Sequence, residues 1–272
     1  MLRTLSSICL FTFAALASAD QPKLQAAIDS DHRTAAWITR DQYRNPLETL
    51  SLFDVQPGHT VVEVFPGGGW YTEILAPYLR EDGQLIAAHF DSEDTQADYR
   101  PGSRQRFEEK MSADPKVYDR VKVSSLWFDE EGAKLLKSPA DSGSVDRVLT
   151  FRSMHGLFAA DIAEVALAEF FDLLKPGGKL GVVQHMADPG QDWLSENIGY
   201  VGRDTLIAVA RSVGFELLAE GFFNRNPLDT KRYYNGVWQL PPSLWELETD
   251  AQKAPYLAIG ESERMTLVFL KP

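Results

Sequence analysis

The run Glu63-Val-Phe-Pro-Gly-Gly-Gly-Trp-Tyr-Thr72 is where residue types and spacing first point to chemistry. Glycines let a backbone approach a ligand closely, and the unpaired amides that open a following helix are ready to bind it. A phosphate-cradling loop needs Lys and then Ser or Thr after its last glycine, but Trp70 and Tyr71 follow Gly69, which argues against ATP or GTP. A dinucleotide fingerprint fits Gly67 and Gly69 yet requires Gly or Ala at position 72, where Thr stands. Glu63 would be badly placed against a pyrophosphate and better placed against a cationic or zwitterionic ligand. S-adenosylmethionine is such a ligand, with an amino group, a carboxylate and a sulfonium. A second acid about twenty residues further on is suited to ribose hydroxyls, and Asp91 lies 22 residues after Gly69. The plainer alternative is that the glycines serve only a tight turn and Asp91 only a cap.

These residues need a frame that brings them to one edge. Thr60 to Phe65 is a β-branched run bounded by Pro57-Gly58, and an apolar-periodic helix from about Trp70 to Leu79 follows the glycines. Gln84 to Phe90 and Asp146 to Phe151 read as further strands, with a weaker one at Val117 to Val123 and a helix near Arg104 to Met111. An amphipathic helix over 160–174, a strand at Lys179 to Gln184, a helix at Thr205 to Val213 capped by Asp204, and strands at Phe215 to Ala219 and Met265 to Leu270 complete the series. Strands alternating with helices imply right-handed crossovers and an α/β, Rossmann-like sheet. That sheet is mainly parallel, with an antiparallel last strand and helices on both faces. The expected organisation is one domain over 20–272, with a helical extension over 20–56 and a long aromatic-rich insertion over 221–264. Tyr233, Tyr234, Trp238, Trp245 and Tyr256 make that insertion too aromatic for disorder. It is either a cap over the mouth of the sheet or an excursion packed on its side. A second long connection runs from Ala187 to Arg203.

The sequence resembles the exported bacterial predicted methyltransferases of the class I S-adenosylmethionine-dependent fold. The likeness rests on EVFPGGGWYTEILAPYL (Glu63 to Leu79), VDRVLTFRSMHG (Val145 to Gly156), LLKPGGKLGVVQH (Leu173 to His185), FFNRNPLD (Phe222 to Asp229) and the closing MTLVFLKP. The resemblance implies that Glu63, Gly67, Gly68 and Gly69 line the methionine end of S-adenosylmethionine and Asp91 its ribose. The usual class I loop has Gly where this chain has Phe65. The family often has Asp-His after the fifth strand and Asn after the fourth, where Gln184-His185 and Ser153 stand here. Methyl transfer is an in-line displacement in which the protein mainly orients the reactants, with a base needed only where the acceptor must lose a proton. His155, just beyond the fourth strand, is the candidate base, Arg152 the candidate clamp for an anionic substrate and Ser153 a hydrogen-bond partner. His185 occupies the corresponding end of the fifth strand, and for either histidine a strand-capping role is as well supported as catalysis.

Composition narrows the partners. With 27 Lys plus Arg against 39 Asp plus Glu, the chain carries a formal net charge of −12. It lacks the basic footprint that nucleic acid or an anionic membrane demands, so the expected partner is a small-molecule substrate. The five histidines show no paired ligand spacing, so no metal site is expected, and there is no G-x-S-x-G elbow for a hydrolase. Arg3, the apolar Ile8 to Leu16 and Ala17-Ser18-Ala19 read as a signal peptide over 1–19, which directs the chain to the periplasm. Its apolar run is too short for a bilayer span of roughly 20 residues, so no integral membrane segment is expected. Cleavage after Ala19 removes Cys9, the one cysteine, and with it thiol chemistry. Two function classes remain: a methyltransferase acting on a small molecule or cell-envelope component, and an exported non-catalytic small-ligand-binding protein that retains the fold.

Overall fold

The computed structural model describes residues 21–129, 134–191 and 198–272. The signal peptide expected over 1–19, Cys9 included, lies outside the described residues. Four short helices come first: α1 (Gln21–Ile28), α2 (Ala35–Ile38), α3 (Asp41–Arg44) and α4 (Pro46–Leu52). Asn45 joins the last two at φ 41°, a left-handed conformation that asparagine tolerates, and Pro46 starts α4 where its missing N–H costs nothing. Then follow β1 (Thr60–Val64), α5 (Thr72–Leu79), β2 (Gln84–His89), α6 (Tyr99–Ala113), α7 (Pro115–Tyr118), β3 (Lys122–Ser125), β4 (Trp127–Phe128), β5 (Leu135–Lys137) and β6 (Val145–Phe151). The chain continues through α8 (Met154–Ala159), α9 (Ala163–Leu173), β7 (Leu174–His185), α10 (Arg203–Ser212), β8 (Glu216–Gly221), α11 (Asp250–Ile259) and β9 (Arg264–Leu270).

Seven strands form one sheet in the order β3-β2-β1-β6-β7-β9-β8, while β4 and β5 pair separately. Every pairing from β3 through β7 is parallel, and β9 runs antiparallel to both β7 and β8. The register aligns the carboxyl ends of β1, β2, β6 and β7 along one edge. Strand alternation sends Val62 and Val64 into a core shared with α9 and α10, and Val61 into a second core with α1, α4 and α5 on the opposite face. Among the described residues no helix is long and apolar enough to cross a membrane.

Boundaries differ from expectation where local signals compete. Val117 belongs to α7, because Asp114-Pro115 opens a helical turn, and the strand starts only at Lys122. Helix α6 begins at Tyr99, ahead of Pro101, which the first helical turn accommodates. Gly202 occupies the cap position of α10, and Asp204 instead pairs with Arg203 at 2.8 Å inside the first turn.

Candidate functional site

The β1–α5 loop sets the geometry. Phe65 has φ 45°, the left-handed backbone that glycine would take there, and its ring stacks on Phe90 at 4.7 Å. Gly67 has φ +59°, and a Cβ built on it would meet nothing within 4 Å, so the loop leaves open room at that point. Gly68 is covered by the Trp37 indole, 3.3 Å from its would-be Cβ. The Trp70 indole N–H donates to the Trp37 carbonyl at 3.1 Å, and the Lys110 ammonium lies 3.6 Å from the Trp37 ring centroid. The helical extension is thus part of the loop's packing. Glu73 fixes it there: its buried carboxylate accepts from the Thr34 amide at 3.0 Å, the Thr34 hydroxyl at 2.6 Å and Lys110 at 2.7 Å.

Glu63 and Asp91 stand at the ends of their strands but line neither of the two cavities that flank the glycine loop. Glu63 is 1% exposed and accepts the Thr72 hydroxyl at 2.6 Å. Burial pushes its carboxyl up to about 7, against the weaker opposing pull of Thr72 and Lys110. Asp91 accepts from Ser125 at 2.6 Å, Lys137 at 2.8 Å and the Glu93 amide at 3.0 Å. Burial opposes its charge, but the Lys137 and Ser125 bonds outweigh that and hold it below the ordinary carboxylate range.

The larger cavity, about 380 Å³, lies between the glycine loop, the ends of β6 and β7, and the 221–264 insertion. Gly67, Arg152, His155, His185, Trp238 and Glu261 are among its walls. The smaller, about 260 Å³, is bounded by Phe90, Asp94, Leu126 and the start of α8. The two share Phe65, Gly67, Arg152, Ser153 and His155. Gly67, Gly68, Arg152, Ser153, His155 and His185 are therefore brought together around the larger cavity. Gly69 turns inward, its would-be Cβ 3.1 Å from Phe107.

Both histidines are neutral near pH 7. Burial and then the Arg152 charge push His155 down to about 4, and burial followed by Arg152 and His155 lowers His185 well below its ordinary value. Their rings are 5.9 Å apart. The Gln184 amide donates to the Gly199 carbonyl at 3.0 Å and to His155 Nδ1 at 3.4 Å. Since a carbonyl only accepts, the amide nitrogen must face this way, and the proton of neutral His155 is then assigned to Nε2. His185 Nδ1 bonds to the Ser262 hydroxyl. Arg152 itself takes φ 62°, and burial followed by repulsion from Arg264 and Arg40 lowers its guanidinium to about 10 despite Glu261.

The insertion supplies a wall through Val237, Trp238, Leu240, Pro241 and Pro242. Asp229 ties it down by accepting from Tyr200 at 2.9 Å and from the Glu263 amide at 2.7 Å. Trp238 packs edge-on to His155 at 5.7 Å. Among the described residues no group of His, Cys, Asp or Glu is arranged to hold a metal.

The fold recurs in solved structures. A SAM-dependent methyltransferase from Aquifex aeolicus matches with a TM-score of 0.55 at 15% identity, over 93% of this chain and 98% of its own. The fold is that of the class I methyltransferases. A geranyl diphosphate C-methyltransferase from Streptomyces coelicolor A3(2), in complex with Mg2+, geranyl diphosphate and S-adenosyl-L-homocysteine, shares the class I methyltransferase fold at the same TM-score, 0.55, and 15% identity, covering 91% of this chain and 88% of that one. No family model and no curated protein matches the chain. Within the class I methyltransferase frame, Trp37, Arg40 and Glu261 join the site from segments outside the sheet. No local spacing marks them, and only the aromatic richness of 221–264 signalled a structured wall.

Proposed function

We propose that the chain is an S-adenosylmethionine-dependent methyltransferase, exported to the periplasm, that acts on a small molecule or a component of the cell envelope. The observation that carries this reading is Gly67, a left-handed glycine with free space over its Cα, set between two neighbouring cavities at the carboxyl edge of β1 and β6. Ligands of open α/β sheets bind at that edge, and the shared fold supports the assignment. Gly67 and Gly68 would hold the methionine end of S-adenosylmethionine, and Phe65, Phe90 and Leu126 the adenosine. When bound, the cofactor supplies a methyl group activated on a sulfonium.

The chain's own residues orient the reactants. Trp37, Trp70, Trp238, Pro241 and Pro242 give the larger cavity apolar surface beside its charged groups. Arg152 is placed to hold an acidic group of the acceptor. His155, with its proton on Nε2, offers a hydrogen-bond donor; taking a proton would require its other tautomer. The arrangement therefore suits an acceptor whose nucleophilic atom need not lose a proton before the methyl group is transferred.

Calorimetry with S-adenosylmethionine and S-adenosylhomocysteine tests the reading: both should bind, and a folded sample that binds neither refutes it. The alternative, a non-catalytic ligand-binding protein, is favoured by one observation, that Glu63 and Asp91 are both satisfied inside the protein. Release of S-adenosylhomocysteine during incubation with envelope extract separates the two, since only a transferase produces it.

A further inference from the structure

The arginines beside the larger cavity outnumber their acids. Glu261 accepts from Arg40 Nε at 2.6 Å, Arg44 Nε at 3.2 Å and Arg264 Nη1 at 3.0 Å, and the Arg152 guanidinium adds its field from the cavity wall. Four formal positive charges meet one carboxylate. The acids next to Arg40 and Arg264 in sequence are committed elsewhere: Asp41 is bidentate to Arg33, and Glu263 pairs with Lys231 and Arg225. Arg44 and Arg264 are only 1% and 3% exposed, yet Arg44 Nη2, Arg264 Nε and Arg40 Nη2 are buried without a hydrogen-bond partner. The guanidinium of Arg152 bonds to none of the described residues, and Arg152 lines both cavities. Buried charge in excess is costly, and here it lies behind a cavity wall that Arg40 and Arg152 line, an arrangement suited to an anion from outside.

The cofactor does not supply that charge. Its amino-acid end carries an ammonium beside the carboxylate, and its sulfonium adds a further positive charge. A polyanionic chain such as nucleic acid is opposed by the formal net charge of −12. We propose that the larger cavity binds a small molecule through a multivalent oxyanion, a phosphate or diphosphate group, held by Arg40 and Arg152 and backed by Arg44 and Arg264. The description of this molecule as the methyl acceptor rests on the methyltransferase reading; the anion site does not.

Inorganic pyrophosphate is the probe, titrated calorimetrically into the full chain at low ionic strength, with and without S-adenosylhomocysteine. Pyrophosphate should bind, Arg152→Gln should weaken it at least about tenfold, and the anion should still bind when S-adenosylhomocysteine is present. Arg40→Gln is the second variant, should Arg152→Gln fail to fold, and the same loss is expected. Failure of pyrophosphate to bind, equal binding in a folded variant, or mutual exclusion between pyrophosphate and S-adenosylhomocysteine overturns the proposal; exclusion would assign the arginines to the cofactor's own carboxylate. Pyrophosphate binding through Arg152 without any S-adenosylhomocysteine binding upholds the anion site and removes the methyltransferase reading.

Discussion

The Glu63→Gln substitution should stabilise the protein in alkali and leave its stability nearly unchanged in acid. Glu63 is buried, and its folded carboxyl is raised from 4.5 to about 7. Between these values the folded chain holds a proton that the unfolded chain has released. The favourable contribution of the neutral carboxyl is therefore whole below pH 4.5 and is lost as pH climbs through 7. At about 1.4 kcal/mol per tenfold change, the loss amounts to about 3 kcal/mol. Glutamine keeps the shape and its amide oxygen can still accept the Thr72 hydroxyl, which lies 2.6 Å from the carboxylate. Urea unfolding of both proteins at about pH 4.5 and about pH 8.5 measures the difference. The variant's advantage should grow by about 3 kcal/mol between the two conditions. An advantage equal at both pH values, or a variant weaker than the parent in alkali, refutes burial as the cause. Because the carboxylate turns to Thr72 rather than to a cavity, S-adenosylhomocysteine affinity should change by less than about threefold; a larger loss would return Glu63 to the ligand.

Two further perturbations probe the loop and the histidine. Gly67→Ala puts a methyl group into open space at φ +59°, so it should cost only about 1 kcal/mol of stability while weakening S-adenosylhomocysteine by at least about tenfold. Unchanged affinity in calorimetry would remove the loop from the ligand site. His155→Gln should flatten the acid limb of stability: the unfolded imidazole protonates at 6.5 and the folded one at about 4, so its contribution is whole above pH 6.5 and is lost as pH falls toward 4. The cavity partly solvates the ring, which limits the effect to about 2 kcal/mol in urea melts, and identical acid limbs in the two proteins would show that another group titrates.

Much of this frame is legible in sequence because its signals are local. Pro57-Gly58, the β-branched run to Phe65 and the three glycines announce strand, turn and helix within a few residues, and β1 and α5 follow. At 114–123 two local signals conflict, and the helix-starting Asp-Pro pair overrides the β-branched Val117. Asp91 follows the end of β2 as its spacing suggests, but the partner that sets its carboxylate's direction, Lys137, arrives 46 residues later on a small hairpin. Arg40 and Glu261 are 221 residues apart, and nothing near either one reveals the other. Charge clusters assembled across such distances exist only in three dimensions.

The placement of β9 has a consequence for how the molecule comes into being. Although it follows every other strand in sequence, β9 lies inside the sheet, and among the described residues β8 has no other strand neighbour in it. As the chain emerges from the ribosome, β8 must wait unpaired, and β7 must keep one edge open, until Arg264–Leu270 is free to slide between them. Glu261, which gathers the arginines, lies just before that strand and waits with it. The cavity therefore cannot be completed in stages from the amino terminus: whatever it binds, it can bind only after Arg264–Leu270 has taken its place between β7 and β8.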